Sequence, residues 1–243
     1  MSGIPLTLVV PVYHEQDNIG RLLDELRSKI ATPHAVLVVH DTDDDPTVPV
    51  VRALLPRHPN VSLLRNDLGR GVLNAIKKGF SRCPEDSAVL VVMADLSDDL
   101  AKVDRMHQLI SEGWDLVVGS RYMRDGRQIG GPPIKGFLSR LAGVSLHALA
   151  GLPTRDATNA FRMYRASLLR AIPIESTGGF ELSLEITVKA HRAGYRITEV
   201  PSTWRDRTAG ESRFKLMAWL PSYLRWYTLA FRGKPWIGSR VSR

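Results

Sequence analysis

Apolar runs of strand length alternate with amphipathic stretches along most of this chain. Leu6 to Val12 is a continuous apolar run, and the Ile19, Leu22, Leu23, Leu26 and Ile30 that follow repeat at helical spacing, from a start near Asp17 or Asn18. The pattern then predicts a strand at Ala35 to Val39, a short helix near Val48 to Leu55 and a strand near Val61 to Leu64. A helix through Leu73, Ile76 and Phe80 follows, then a strand at Ala88 to Val92, a helix through Val103, Met106 and Leu109, and a strand at Leu116 to Gly119. Such alternation implies βα units with right-handed crossovers and a mainly parallel sheet flanked by helices, an α/β fold. The second half is less regular: a helix from Ile134 to Ala150, a strand from Ala160 to Tyr164, a helix from Phe180 to Ala193 and a strand from Arg196 to Val200. After Gly210, Leu216, Trp219, Leu220, Tyr223, Leu224, Tyr227 and Phe231 fall at helical spacing, with Pro221 expected to kink that helix or begin a second one.

Two of the predicted strands end in acid, AVLVVHDTDDD from Ala35 to Asp45 and AVLVVMADLSDD from Ala88 to Asp99. Buried parallel strands deliver such carboxylates to their C-terminal edge, where open α/β sheets bind ligands. Carboxylates there suit a nucleotide's ribose and a divalent cation on its phosphates. Gly69-Arg70-Gly71 lacks the full Walker or dinucleotide spacing and reads as a turn and helix start near that pocket. The histidines form no metal-binding spacing, and no serine-centred nucleophile elbow is present.

Composition changes the picture in three ways. With 243 residues and 44% hydrophobic content the chain can bury a sizeable core, and Cys83 is its only cysteine, so no intrachain disulfide or cysteine-rich zinc site exists and a reducing compartment is expected. The opening MSGIPLTLVVPVYHEQ has no basic n-region and its apolar run breaks at Pro11, which argues against a signal peptide, and no stretch reaches the roughly 18 to 20 apolar residues of a spanning helix. Of the net charge of +8, the segment from Thr203 onward holds nine basic residues against two acids and four of the five tryptophans. Basic charge interleaved with aromatics favours contact with a membrane surface. Packing of the aromatics on the main domain and nucleic-acid binding are the alternatives, and no nucleic acid is expected. The chain is therefore expected to divide into a domain over residues 1–212 and a basic, aromatic-rich appendage over 213–243, and the protein is expected to be cytoplasmic and peripheral at the membrane.

Several ordered motifs then resemble a known family. Pro11-Val12-Tyr13-His14-Glu15-Gln16-Asp17-Asn18-Ile19 is similar to the P-x-Y-N-E-x-x-N-I opening of family 2 glycosyltransferases. Gly119-Ser120-Arg121-Tyr122, the run DATNAFR from Asp156 to Arg162, Glu199-Val200-Pro201, and Arg207-Thr208-Ala209-Gly210-Glu211-Ser212-Arg213 resemble segments of the polyprenyl-phosphate sugar transferases, the group that contains dolichol-phosphate mannose synthase. The resemblance implies a GT-A fold and transfer of a hexose, mannose or glucose, from a nucleotide-diphosphate sugar to a polyprenyl phosphate with inversion. A phosphate monoester is already anionic near neutral pH and needs no strong general base, so positioning and positive charge are what the enzyme must supply.

By the same resemblance, Pro11, Tyr13 and Glu15 bind base and ribose, and Asp41 contacts the nucleoside. Asp41 also reads as a turn or cap residue, the role expected of Asp43, Asp44 and Asp45. Ala94 and Asp95 belong to the nucleotide-sugar site. Arg121, Lys135 and Ser139 match positions that grip the lipid phosphate, and Arg207 and Arg213 match positions that clamp phosphates from a Gly210-containing loop. Asp95, Arg121 and Arg207 are the catalytic candidates, with surface or structural ion pairing as the alternative for the arginines.

The departures from the family pattern are specific. His40 stands where relatives commonly have an acid, and Met93-Ala94-Asp95-Leu96-Ser97 replaces D-A-D-L-Q. A thioether is a poor ligand for Mg²⁺ or Mn²⁺, which want hard oxygens. The metal then falls to Asp95 with substrate phosphates and water, assisted by Ser97 or by Asp98. Weak metal dependence and lost activity are the other outcomes. A family 2 transferase with a saccharide or other soluble acceptor and a degenerate nucleotide-sugar binding protein are the competing functions. The segment from Phe214 to Phe231, flanked by Arg225, Arg232 and Lys234, is expected to meet the bilayer directly or to be covered by a membrane-anchoring partner.

Overall fold

The computed structural model describes residues 3–179, 181–206 and 216–232. The first apolar run forms β1 (Leu6–Val12), buried at every position. The amphipathic stretch after it forms α1 (Ile19–Lys29), with Ile19, Leu22, Leu23 and Leu26 on its buried face. In chain order there follow β2 (His34–His40), α2 (Thr47–Leu54), β3 (Val61–Arg65), α3 (Val72–Arg82), β4 (Ala88–Val91), α4 (Val103–Ser111) and β5 (Leu116–Ser120). These elements match the alternation read from the apolar pattern to within a residue or two. Beyond β5 come β6 (Arg127–Ile129), α5 (Pro133–Ala150), β7 (Arg162–Arg165), α6 (Ala166–Ala171), α7 (Leu182–Arg192), β8 (Ile197–Pro201), β9 (Thr203–Arg205) and α8 (Leu216–Leu229). Pro221 lies inside α8 and does not begin a second helix.

The main sheet has seven strands in the order β3-β2-β1-β4-β7-β5-β8. All run parallel except β7, which pairs antiparallel with both β4 and β5. Because β7 opposes both neighbours, β4 and β5 share one direction and their C-terminal ends lie on one edge. Helices cover both faces. Leu8 and Val10 of β1 face the core built with α1 and α4, while Val9 faces Ala75 of α3. That alternation is the period-two geometry of a strand buried on both sides. β6 and β9 form a separate two-stranded parallel sheet below the same edge.

α5 and α8 sit apart from this sandwich. Leu146 of α5 and Trp226 of α8 pack with Leu152, Ala157, Leu184 and Val188, and Ser145 Oγ lies 2.9 Å from the Tyr227 hydroxyl. Gly143 permits the close approach of α5 to the following loop, since a Cβ there would stand 2.2 Å from the Arg155 carbonyl oxygen. Trp226 also lies beneath the Lys189 ammonium and the Arg225 guanidinium, at 4.8 and 4.4 Å.

Candidate active site

The strand order reverses direction of growth at β1, with β2 on one side and β4 on the other, and the crevice at such a reversal is where open α/β sheets hold ligands. After β1 the chain turns through His14, whose φ of +56° lies in the left-handed region. Such strain persists only where surroundings impose it. Here the His14 N–H donates to the buried Asp45 carboxylate at 3.2 Å and the Glu15 N–H to Thr47 Oγ1 at 2.9 Å. Asp45 also accepts the Thr47 N–H at 2.8 Å, the capping role expected of it. Pro11 is buried. Tyr13 stacks on His14 with ring centroids 4.3 Å apart and is 48% exposed. Glu15 accepts the Asn18 side-chain amide at 2.9 Å.

Asp41, just past β2, does structural work at this edge. Its Oδ1 accepts Asn66 Nδ2–H at 2.7 Å and its Oδ2 accepts the Gly71 N–H at 2.8 Å. Gly71 has φ of +117° and stands immediately before α3, so Asp41 joins the end of β2 to the start of α3 in the manner of a cap.

The loop after β4 carries the second acid cluster. Met93 is partly buried and packs against the core cluster that contains Leu73, Ile76 and Leu182. Asp95 is half-buried and accepts the Ser97 N–H at 3.1 Å. Leu96 between them has φ of +61°. Ala94 and Ser97 are buried, and the Ser97 carbonyl accepts the Arg205 N–H at 3.1 Å, which ties the loop to β9. Asp98 turns its carboxyl onto the Met93 N–H at 3.0 Å. Burial pushes that carboxyl up to about 7, with the Met93 bond opposing and Asp95 adding to the rise. Among the described residues no group of three His, Cys, Asp or Glu side chains is arranged as a metal cage. The hard donors present, Asp95 with Asp98 beside it, fit a cation of the Mg²⁺ or Mn²⁺ type that takes one or two carboxylates and completes its shell with phosphate and water.

Arg121, just past β5, is held at the same edge by a bracket of polar residues. Its side chain is 11% exposed and Asp156 is fully buried. Asp156 Oδ2 accepts the Arg121 N–H and Nε–H at 3.0 and 2.7 Å, and Oδ1 accepts Nη2–H at 2.9 Å. Burial pushes the Asp156 carboxyl up, but the Arg121 guanidinium more than reverses this and leaves it below the usual carboxylate range. Arg121 Nη2 also donates to Ser139 Oγ at 3.1 Å and Thr158 Oγ1 at 3.2 Å, and the Tyr122 hydroxyl donates to Ser139 at 2.8 Å. Beneath them Arg162, buried in the sheet, donates to the carbonyls of Asp156 and Asn159 at 2.7 and 2.6 Å. Asn159 Nδ2 donates to the Gly119 carbonyl at 2.7 Å. Glu199 closes the bracket, accepting the Thr154 hydroxyl at 3.0 Å and the Arg155 N–H at 2.8 Å. The field of Arg121 reaches Asp98 and favours its ionised form, so the β4 and β5 ends form one electrostatic unit.

The fold thus gathers Pro11, Tyr13, Glu15, Asp41, Ala94, Asp95, Ser97, Asp98, Arg121 and Ser139 on one sheet edge. Lys135, half-buried, stands one helical turn before Ser139 on α5. Arg207 and Arg213 lie outside the described residues. Asp156, Thr158 and Tyr122 orient Arg121 and Ser139, a role the sequence pattern does not assign to them. The DATNAFR run was the available signal, since Asp156, Thr158, Asn159 and Arg162 all contribute to the bracket.

A switch-point edge with a carboxylate loop after β4 and a guanidinium after β5, the two parallel strands that flank antiparallel β7, is that of a transferase of the GT-A architecture. The chain belongs to glycosyl transferase family 2, whose family model matches residues 7–172. It is 31% identical to undecaprenyl-phosphate mannosyltransferase from Micrococcus luteus, covering 84% of this chain and 85% of that one. To the polyprenol monophosphomannose synthase of Mycolicibacterium smegmatis it is 28% identical over 85% of this chain and 79% of the relative. Identity to the dolichol-phosphate mannosyltransferase of Pyrococcus furiosus is 26% over 86% of this chain and 59% of that protein's length. Among solved structures, glucosyl-3-phosphoglycerate synthase from Mycobacterium tuberculosis, in complex with Mn²⁺, UDP and glucosyl-3-phosphoglycerate, shares the fold with a TM-score of 0.65 at 16% identity, over 92% of this chain and 77% of that one.

Proposed function

We propose that the protein transfers a hexose from a nucleotide-diphosphate sugar to a polyprenyl phosphate, with inversion, at a membrane surface. The observation that carries this is the Arg121–Asp156–Ser139 bracket, which presents one rigid guanidinium and a hydroxyl beside the Asp95 loop. In this reading the donor's nucleoside meets Tyr13, Glu15 and Asp41, and its diphosphate lies over the Asp95 loop. A divalent cation at Asp95, when bound, neutralises charge on the departing diphosphate. The acceptor phosphate is held by Arg121, Ser139 and Lys135, which orient its oxygen for in-line attack, while the bracket resists reorganisation as charge moves. Arg207 and Arg213 complete the phosphate clamp. No base is required, because the acceptor oxygen is already anionic. The names of the three relatives, all transferases to prenyl phosphates, support the same acceptor class.

The membrane assignment draws support from α5 and α8. Only Gly143 and Leu146 of the 18 residues of α5 are buried. Ile134, Phe137, Leu141 and Leu149 are 54 to 73% exposed, and α8 adds Leu220 and Leu224. Neither helix contains an acid, while Lys135, Arg140 and Arg225 stand among the apolar residues. Apolar burial combined with attraction to anionic headgroups is how interfacial helices bind. No helix among the described residues is long and apolar enough to cross a membrane.

The test is sugar transfer by the purified chain to a short polyprenyl phosphate, with GDP-mannose and UDP-glucose in parallel, with and without Mn²⁺ or Mg²⁺, and with Asp95→Asn. Lipid-linked product that falls at least a hundredfold in the variant is expected. Donor binding with no lipid-linked product across a broader donor panel, or efficient transfer to a saccharide, would overturn the proposal.

A further inference from the structure

The geometry points to Glu181 as a contact for hydroxyl groups of the donor hexose, an inference that rests on the donor reading above. Glu181 stands immediately before α7 and is 1% exposed. Its Oε1 accepts the Gly178 N–H at 2.8 Å and the Thr177 N–H at 3.3 Å, which fixes the carboxylate. Its Oε2 is buried and has no hydrogen-bond partner among the described residues. Such an oxygen bears the desolvation cost of a charged group without return, and native proteins rarely leave one so.

Its surroundings belong to the active-site edge. Gly179, with φ of +115°, lies against the first turn of α3, where a Cβ would meet Val72 Cγ1 at 3.0 Å. That turn begins at Gly71, whose N–H is held by Asp41. Leu182, the next residue after Glu181, shares a core cluster with Leu73 and Met93. Tyr223 of α8 lies within reach of its charge. Burial pushes its phenol up, Glu181 adds to the push, and Arg121 and Arg162 oppose it, so Tyr223 feels charge from both Glu181 and the bracket. Glu181 is therefore tied through Gly179 to the α3 turn that Asp41 holds, and its charge acts on the same Tyr223 phenol as that of Arg121.

The chemistry selects the ligand. A carboxylate oxygen accepts hydrogen bonds and repels phosphate, so the diphosphate and the acceptor phosphate are unsuitable partners, whereas a hexose offers several O–H donors. A charge-assisted bond from a sugar hydroxyl would satisfy Oε2 without moving Oε1 from its loop.

Glu181→Gln keeps the shape and the Oε1 bonds but replaces the Oε2 acceptor by a donor. Binding of GDP, GDP-mannose, UDP and UDP-glucose to the full chain with Mn²⁺, measured by calorimetry, gives the readout. The expected result is nucleoside-diphosphate affinity within about twofold of wild type and a loss of about tenfold or more for the matching sugar nucleotide. A deoxy-hexose donor lacking the contacted hydroxyl should lose about the same factor with wild type and nothing further with the variant. Unchanged sugar-nucleotide affinity in Glu181→Gln, equal losses for nucleotide and sugar nucleotide, or wild-type indifference to every deoxy donor would overturn the inference. Wild-type indifference to the deoxy series overturns it even if the variant fails to fold. Wild-type protein that bound neither nucleotide nor sugar nucleotide would overturn the donor reading itself, and this inference with it.

Discussion

Replacing Asp156 by asparagine should destabilise the protein severely, because the bracket around Arg121 has no spare acceptor. Asp156 accepts four N–H groups: the Arg121 backbone and Nε on Oδ2, and Arg121 Nη2 with the Asn159 backbone on Oδ1. An asparagine amide offers one oxygen, so whichever way it turns its NH₂ faces two donors. Hydrogen bonds to charged groups contribute about 1.5–3 kcal/mol each, and removing one charge of a buried pair costs about 3–5 kcal/mol. Both routes give a loss of about 3–5 kcal/mol, or a fall in Tm of about 10 °C for a chain of this size. Urea unfolding followed by tryptophan fluorescence measures it directly. The pH dependence adds a second constraint. The folded pKa of Asp156 is depressed, so its stabilisation is present above the unfolded value near 4 and is lost as pH falls through the lower folded value. The gap between wild type and Asp156→Asn should hold steady from about pH 5 to 8 and shrink below about pH 4. A cost under about 1 kcal/mol at pH 7, or a gap that persists undiminished in acid, would refute the assignment of Asp156 as the ionised partner of Arg121.

Two further outcomes test other parts of the molecule. Burial pushes the Cys83 thiol up to about 12, so at pH 8 its thiolate fraction is roughly a thousandfold below that of a free cysteine, and iodoacetamide should label it only after unfolding; rapid labelling of the folded chain, read by mass spectrometry, would show the site to be open. Phe137→Glu with Leu141→Glu, both on the exposed face of α5, should abolish flotation with anionic liposomes while leaving Tm within a degree or two; unchanged flotation would remove α5 from the membrane contact.

Much of the architecture was legible because it rests on local periodicity. The continuous apolar runs at Leu6–Val12 and Ala88–Val91 and the helical repeats through Leu22 and Leu26 or Leu73 and Ile76 specify element type within a few residues of chain. The acid-terminated strands pointed to the ligand edge for the same reason, since a parallel strand has one C-terminal end wherever it lies in the sheet. What stayed hidden depends on contacts between distant segments. Nothing in the run FRMYR tells a parallel strand from the antiparallel β7 that separates β4 from β5. The three-residue strands β6 and β9 carry no periodicity of their own.

By itself, then, the sequence determined the alternating α/β order, the acid-bearing strand ends, the departure at Met93 and the basic, aromatic C-terminal composition, all properties of short windows or of residue identity. Tertiary structure alone decided that Arg121 is clasped by Asp156, 35 residues away in the chain, that Asp41 accepts hydrogen bonds from Asn66 and Gly71 on its two oxygens, and that Met93 packs, partly buried, against the core. It also decided that α5 leaves most of its apolar side chains uncovered. The physical reason is that a charge's partner and an apolar face's cover are set by which elements the sheet order brings together, and that order is a global compromise of packing that no local pattern encodes.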